Sequence, residues 1–410
     1  MTSADPATVR LLHHPAFVRF LYVRIAATVA LQVNAVAVGW QMYALTDSSF
    51  ALGLVGLVQF IPAISLFLAT GHVADRYDRR TVTAISEFVE AAAVAVLAMA
   101  AAADRLSPHL LLAMAFFIGV GRAFEQPSLQ SVLPNIVPVE TLPRAIAGSN
   151  SVAQASIVAG PALGGFLISF SPTVVFSVCA LLWLTSGFVM RSIPMERTPP
   201  RREPIDLNSL LSGFVFIGRH KVVLGAIVLD LFAVLLGNAM ALLPVFARDI
   251  FLSGPLSFGA LRAAPAVGAI LASVALTRWP ISRRVGPTMF ASVAAFGIGT
   301  ILLALSPSFV LALAAMGVVG ASDTISVVIR QTLIQLYTPD HMRGRVYAVS
   351  SLFTAMSNQL GDFRAGAMAS LLGTVPSVLV GGLSSLAVVL ISAAAFRDLL
   401  RADRYEAVKE

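Results

Sequence analysis

Nine ionisable residues interrupt otherwise apolar stretches of this chain: Arg24, Arg122, Glu125, Asp230, Arg262, Asp323, Arg330, Asp362 and Arg364. Each costs roughly 2.5–3.5 kcal/mol at the centre of a membrane helix, so such groups face a cavity or a partner. Two kinds of chemistry suit them. Asp323 and Asp362, near the middle of their segments, could exchange protons near neutral pH. Alternatively they form permanent ion pairs, for which Asp323 with Arg330, seven positions on, or Asp362 with Arg364 has workable spacing. Asp230 is open to both roles and lies closer to a helix end. Gln32, Asn34, Gln41 and Asn238 could orient a polar group of a substrate or bond a neighbouring helix. Trp40, Tyr43, Phe117 and Phe124 could supply an apolar wall.

The elements that hold these groups follow from composition. The chain has 410 residues, 57% hydrophobic and 12% charged, with a mean hydropathy of +0.85. Soluble domains carry about 25% charged residues, so the solvent for most of this chain is the lipid bilayer. Hydropathy, punctuated by Gly, Pro and charge, predicts twelve spans, at 17–45, 50–70, 81–103, 108–136, 145–170, 173–190, 222–247, 256–277, 287–305, 309–337, 346–372 and 374–396. The first is too long for a signal-peptide core and is expected to be retained. Cys179 lies within a span and packs there. The net charge of +7 does not imply nucleic acid, because the arginines are scattered over short loops with no folded domain behind them.

Placing the N-terminus in the cytoplasm puts about 21 of the 28 Lys and Arg on that side, against Arg105 and Arg248 on the other. The positive-inside rule therefore predicts cytoplasmic termini, and GHVADRYDRR, residues 71–80, becomes the cytoplasmic turn between spans 2 and 3. The hydrophilic stretch 191–221 follows six spans, which predicts a half at 1–190, a linker at 191–221 and a half at 222–410. An internal repeat supports the division. A shift of 201 places Pro138 on Pro339, Arg144 on Arg345, Gly160 on Gly361 and Gly165 on Gly366. A shift of 204 pairs Arg79 and Arg80 with Arg283 and Arg284, and Asn34 with Asn238. The fold class expected is an all-α membrane protein of twelve helices in two duplicated six-helix halves. Under the repeat Arg122 falls on Asp323, so opposite charges occupy related positions.

In that context Gly71, Asp75, Arg76, Arg79 and Arg80 resemble the G-x-x-x-D-R-x-x-R-R signature of the major facilitator superfamily at the same turn. GPALGG in span 5, with Gly160, Pro161, Gly164 and Gly165, is similar to the Gly-Pro signature of its antiporter branches. VAVGWQMYALT, IRQTLIQLYTPDHMRGRVYAVSSLF and SNQLGDFRAG resemble the exporter branch that includes the enterobactin exporter and multidrug-like relatives. A second antiporter signature, R-x-x-Q-G, is met only by Arg122-Ala-Phe-Glu125-Gln126. The resemblance implies that residues 71–80 form a conformational latch, Asp75 meeting a helix N-terminus and the arginines meeting nearby acids such as Glu87 and Glu90. It implies that the Gly-Pro stretch packs closely enough to seal the periplasmic side. Spans 1, 4, 7 and 10 would line a central cavity, and six of the nine buried charges fall on them.

Several classes are excluded. Only Lys221 and Lys409 are present and neither follows glycine, so no ATP-binding G-x-x-x-x-G-K-[ST] loop exists. H-E-x-x-H, G-x-S-x-G and G-x-G-x-x-G are likewise absent, which argues against an enzyme and a metal or other cofactor. The expectation is a monomeric secondary transporter of the cell inner membrane that exports a small apolar or amphiphilic, drug-like or siderophore-like substrate by alternating access, coupled to protons. A proton-coupled importer and a non-transporting sensor or assembly subunit are the alternatives.

Overall fold

The computed structural model describes Leu11 and residues 13–195, 207–339 and 342–405, without the side chains of Leu68, Gly71, His72, Ala74, Asp75 and residues 207–211. The described residues form helices α1 (Pro15–Thr46), α2 (Ser49–Ser65), α3 (Phe67–Arg76), α4 (Arg79–Ala102), α5 (Pro108–Val132), α6 (Leu142–Ile168), α7 (Pro172–Arg191), α8 (Leu207–Arg219) and α9 (Lys221–Gly237). They continue with α10 (Pro255–Arg278), α11 (Val285–Leu305), α12 (Phe309–Tyr337), α13 (Arg343–Leu372), α14 (Thr374–Ala395) and α15 (Arg397–Leu400). Every predicted span is mostly helix, with interruptions in the second and seventh. Ten of the helical segments are long and apolar enough to cross a membrane. The second span is too short an apolar helix by itself, and α13, with Arg343, Arg345, Asp362 and Arg364, is too polar to qualify on hydropathy.

Helix starts are written locally. Ser107, Ser171 and Ser308 each accept a hydrogen bond from the backbone N–H three residues on, and Pro108 and Pro172 occupy first-turn positions where no N–H is needed.

Two predictions need correction. Span 2 is not one uninterrupted helix: it divides at Leu66 into α2 and α3, although Leu66 N–H still bonds the Pro62 carbonyl at 2.9 Å; Pro62 itself lies inside α2 and leaves the Val58 carbonyl, one turn upstream, without a helical donor. Residues 71–80 are not a ten-residue turn either. The chain is helical to Arg76, only Tyr77 and Asp78 are non-helical, and the Asp78 side chain caps α4 by accepting from the Arg80 N–H at 3.0 Å.

The chain forms two compact units. One comprises the described residues up to Thr46, those from Val58 to Met195, and Pro255–Gly259; the other comprises Asp47–Leu57, residues 207–254 and residues 260–405. In the first, α4 packs on α5 and α7, and α1 on α6 and α7. In the second, α11 packs on α12 and α14, and α9 on α13 and α14. The two packing patterns correspond span for span, as a duplication requires. The paired glycines repeat the correspondence. Gly165 lies against Gly259 and Pro255, Gly366 against Gly53 and Ser49, and a β-carbon on either would meet backbone at 2.5–2.6 Å. Part of the 191–221 stretch, residues 207–219, is helix α8, whose Ile217 is buried with Val223, Ile334 and Val346.

Candidate functional site

The second unit encloses a cavity of about 190 Å³ walled by α9, α10, α11, α12 and α13. Asp230 of α9 and Asp323 and Arg330 of α12 line it among apolar neighbours such as Phe296 and Met316. Asp230 and Arg330 are paired at 3.2 Å, with side chains only 6% and 5% exposed. Ser326 donates to Asp230 Oδ1 at 3.1 Å, and Arg330 Nη1 donates to Ser350 and Thr354 at 3.0 and 3.2 Å. Of the two roles open to Asp323, a pair with Arg330 is not formed; the structure places Asp230 there instead. Spacing along one helix cannot reveal a carboxylate arriving from a neighbouring one. Asp323 faces the cavity and, among the described residues, has no hydrogen-bond partner.

Span 7 breaks in mid-membrane, which its apolar composition does not announce. After Gly237 the chain leaves the helix at Asn238, makes a turn of 3-10 helix (Met240–Leu242) and resumes through a π-helical turn (Phe246–Ile250). Free backbone groups are costly in lipid, and side chains satisfy them. Arg364 Nε and Nη2 donate to the carbonyls of Leu235 and Asn238 at 3.1 and 3.2 Å. Asn238 Oδ1 accepts from Met240 N at 3.0 Å, and Asp362 Oδ1 accepts from Ala241 N at 3.2 Å and from Asn238 Nδ2 at 3.1 Å. Cation at a helix end and anion at a helix start also suit the helix dipoles. Asp362 and Arg364 are therefore not bonded to each other; they hold the two sides of the break. Asn238, expected among substrate contacts, has its amide engaged there.

The first unit carries a second charged cluster. Arg122 and Glu125, both on α5, pair at 2.8 Å, the guanidinium 30% exposed and the carboxylate 2%. Glu87 and Glu90 of α4 are fully buried beside them. Glu87 Oε1 accepts from the Ser186 hydroxyl at 2.7 Å, and Glu90 lies against Gly121, whose added β-carbon would be 2.6 Å from Glu90 Cγ. Glu87 and Glu90 were expected to meet the arginines of residues 71–80. They lie eight and eleven residues into α4, about 12 and 16 Å along its axis, too deep for that. The signal that identifies them is present in SEFVE: two carboxylates three apart, one helical face, inside an apolar span.

The remaining expected contacts are dispersed. Gln32 packs on Gly160, Val33 and Val36 on Gly164, and Trp40 stacks on buried Phe258 at 6.2 Å. Asn34 is 1% exposed. Gln41 and Phe124 are half-buried.

A sequence profile describing transmembrane secretion effectors matches residues 7–407, and the fold is shared with solved transporters. The chain belongs to the major facilitator superfamily. The enterobactin exporter EntS of Escherichia coli O1:K1 / APEC is 25% identical over 384 residues, covering 93% of this chain and 88% of the exporter. A bacterial homologue of the human lysosomal transporter Spinster superposes with a TM-score of 0.73 at 14% identity, covering 97% of this chain and 98% of that one. A bacterial homologue of the iron transporter ferroportin gives 0.70 at 16% identity, over 94% and 98%. The chain is thus a multi-pass membrane transporter of that superfamily. Of the superfamily signature at 71–80, the surroundings of Gly71 and the side chain of Asp75 lie outside what the structure describes. Arg76 is exposed, Arg79 opens α4, and Arg80 pairs with Asp78 at 3.0 Å and donates to the Ile193 carbonyl at 2.9 Å. In the Gly-Pro stretch, Gly160, Pro161, Gly164 and Gly165 are all buried. Gly160 and Gly164 meet α1, while Pro161 and Gly165 meet the start of α10.

Proposed function

We propose that this protein is a proton-coupled exporter of a small apolar or amphiphilic compound, siderophore-like or drug-like, working by alternating access in the bacterial inner membrane with both termini in the cytoplasm. The observation that carries the coupling is the second unit's cavity. At about 190 Å³ it is smaller than the ~300–1,000 Å³ of small-molecule sites, yet roomy enough for several waters. It holds two carboxyls and one guanidinium, so Asp230 is balanced by Arg330 while Asp323 remains to bind and release a proton. The direction of transport is supported by the likeness to a siderophore exporter over most of both chains and by the closely packed Gly-Pro stretch.

Proteoliposomes with an imposed pH gradient, screened with siderophore-like and lipophilic compounds, test the reading. Substrate should move against a proton flow in the opposite direction, and Asp323→Asn should abolish gradient-driven movement while sparing substrate exchange. Movement indifferent to the gradient would remove the coupling, and uptake down an inward proton gradient would make the protein an importer.

A further inference from the structure

The cluster in the first unit contains three carboxyls, Glu87, Glu90 and Glu125, and two guanidiniums, Arg24 and Arg122. One carboxyl is in excess, and the hydrogen bonds indicate which. Glu125 is held by Arg122 at 2.8 Å, and Glu87 is held at one oxygen, Oε1, by the Ser186 hydroxyl at 2.7 Å, its Oε2 being unpartnered among the described residues. Glu90 is fully buried, and among the described residues neither of its oxygens has a hydrogen-bond partner. A bare carboxylate in such a place would be several kcal/mol out of balance, whereas a neutral carboxyl is tolerable. The charges that act on Glu90 are those of Glu125, Arg122 and Glu87. Arg24 of α1 interacts with Glu125 and Arg122, and its Nε is also buried without a partner among the described residues. The face of α7 brings the Ser186 hydroxyl, and α3 brings, among described charged side chains, Arg76, which is exposed at its far end.

We infer that Glu90 is a second proton-binding site, in the first unit, holding one proton that neutralises the cluster of Glu87, Glu125, Arg122 and Arg24. The ligand is a proton and not a cationic substrate, because Glu87 and Glu90 are sealed from any larger species. Among the described residues, no group of acidic, histidine and cysteine side chains is arranged to hold a metal ion. When Glu90 gives up this proton, its O–H bond breaks and the proton passes to a carboxylate oxygen of Glu125 or Glu87, with no change of oxidation state. The site is separate from Asp323 and goes beyond the coupling proposed above, so the two stand or fall independently.

Infrared spectroscopy of the full-length protein in lipid tests it without any substrate. At neutral pH the wild type should show the carbonyl band of a protonated carboxyl free of hydrogen bonds. Glu90→Gln should remove that band, Glu90→Asp should shift it, and Asp323→Asn should leave it in place. Gln reproduces a neutral glutamic acid in size, so Glu90→Gln should fold and melt no lower than wild type. A band that survives Glu90→Gln, which would place the proton on another carboxyl, or a Glu90→Gln protein that melts lower or does not fold, which would make Glu90 an ionised partner of the cluster, would overturn the assignment. Loss of the Glu90 band together with gradient-independent transport would sink the coupling reading and leave this site standing.

Discussion

Removing Arg330 should damage the second unit more than removing the aspartate it pairs with. In Arg330→Gln the guanidinium is lost at a site where Asp230 is 3.2 Å away and both side chains are almost fully buried. At an effective dielectric of about 20, that contact is worth about 5 kcal/mol of Coulomb energy, and breaking one side of such a pair typically costs about 3–5 kcal/mol. The loss has a ceiling. The stranded carboxyls can take up a proton, and bringing an aspartate of ordinary pKa, about 3.9, to neutrality at pH 7 costs about 4 kcal/mol. Asp230→Asn differs in kind. Arg330 retains Ser350 and Thr354, Asp323 stands across the same cavity to balance it, and the amide oxygen can still accept from Ser326. Its cost should be about 1–3 kcal/mol. Unfolding of the purified protein in detergent, followed by intrinsic fluorescence, should rank wild type above Asp230→Asn above Arg330→Gln at neutral pH. Acidification should narrow the gap for Arg330→Gln, because protonation there becomes cheap. Equal losses for the two variants, or an Arg330→Gln defect that grows in acid, would refute the assignment of charge balance in this cavity.

Three other outcomes are expected. Asp362→Ala strands the Ala241 N–H at the break in span 7, while the Asn238 amide keeps the Asn358 carbonyl, and should lower stability by about 1–3 kcal/mol; Asp362→Asn, which keeps an acceptor, should cost less in the same unfolding assay. Gly165→Val sets a side chain against backbone at Pro255 and should cost about 1–3 kcal/mol or more, with Gly366→Val behaving alike, as melting temperatures will show. At the start of α4, burial works against ionisation of Asp78, but the Arg80 side chain and backbone N–H outweigh it and hold the carboxyl below the ordinary aspartate range. The stabilisation from this cap is thus present above the unfolded-state value and lost as pH falls through the lower folded-state value. Asp78→Ala should cost about 1 kcal/mol at neutral pH, and its melting curve should converge with that of wild type in strong acid.

The predictions that succeeded from residues alone depend on quantities summed along the chain. Twelve spans follow from hydropathy because lipid forces every stretch of about 20 residues to satisfy its own backbone. The repeat that sets Gly165 on Gly366 was legible as spacing, and the matching close approaches of those two glycines are what that spacing preserved. Span 346–372, read from hydropathy with Gly and charge as punctuation, lies in helix α13 despite that helix's four charged residues. The failures are local. Span 2 divides at Leu66 and span 7 at Asn238, and neither apolar stretch announces its break.

Which charges meet was not readable in the same way. A helix shows each residue's neighbours three and four positions away, so Arg122 and Glu125 are close by spacing alone. Arg330 could be matched to Asp323 on paper, yet the carboxylate that reaches it belongs to α9, and its other partners, Ser350 and Thr354, belong to α13. Glu87 and Glu90 likewise become part of a charged cluster only because α4 packs against α5 and α7. Sequence by itself determined that the chain is an all-helical membrane protein and showed the repeat spacing that its packing follows, since those are properties of composition and period. Only the tertiary structure decided which buried charge is balanced and which is not, because electrostatic partnership depends on distances between helices and the rotation of each about its axis, which a single sequence does not encode in any local pattern.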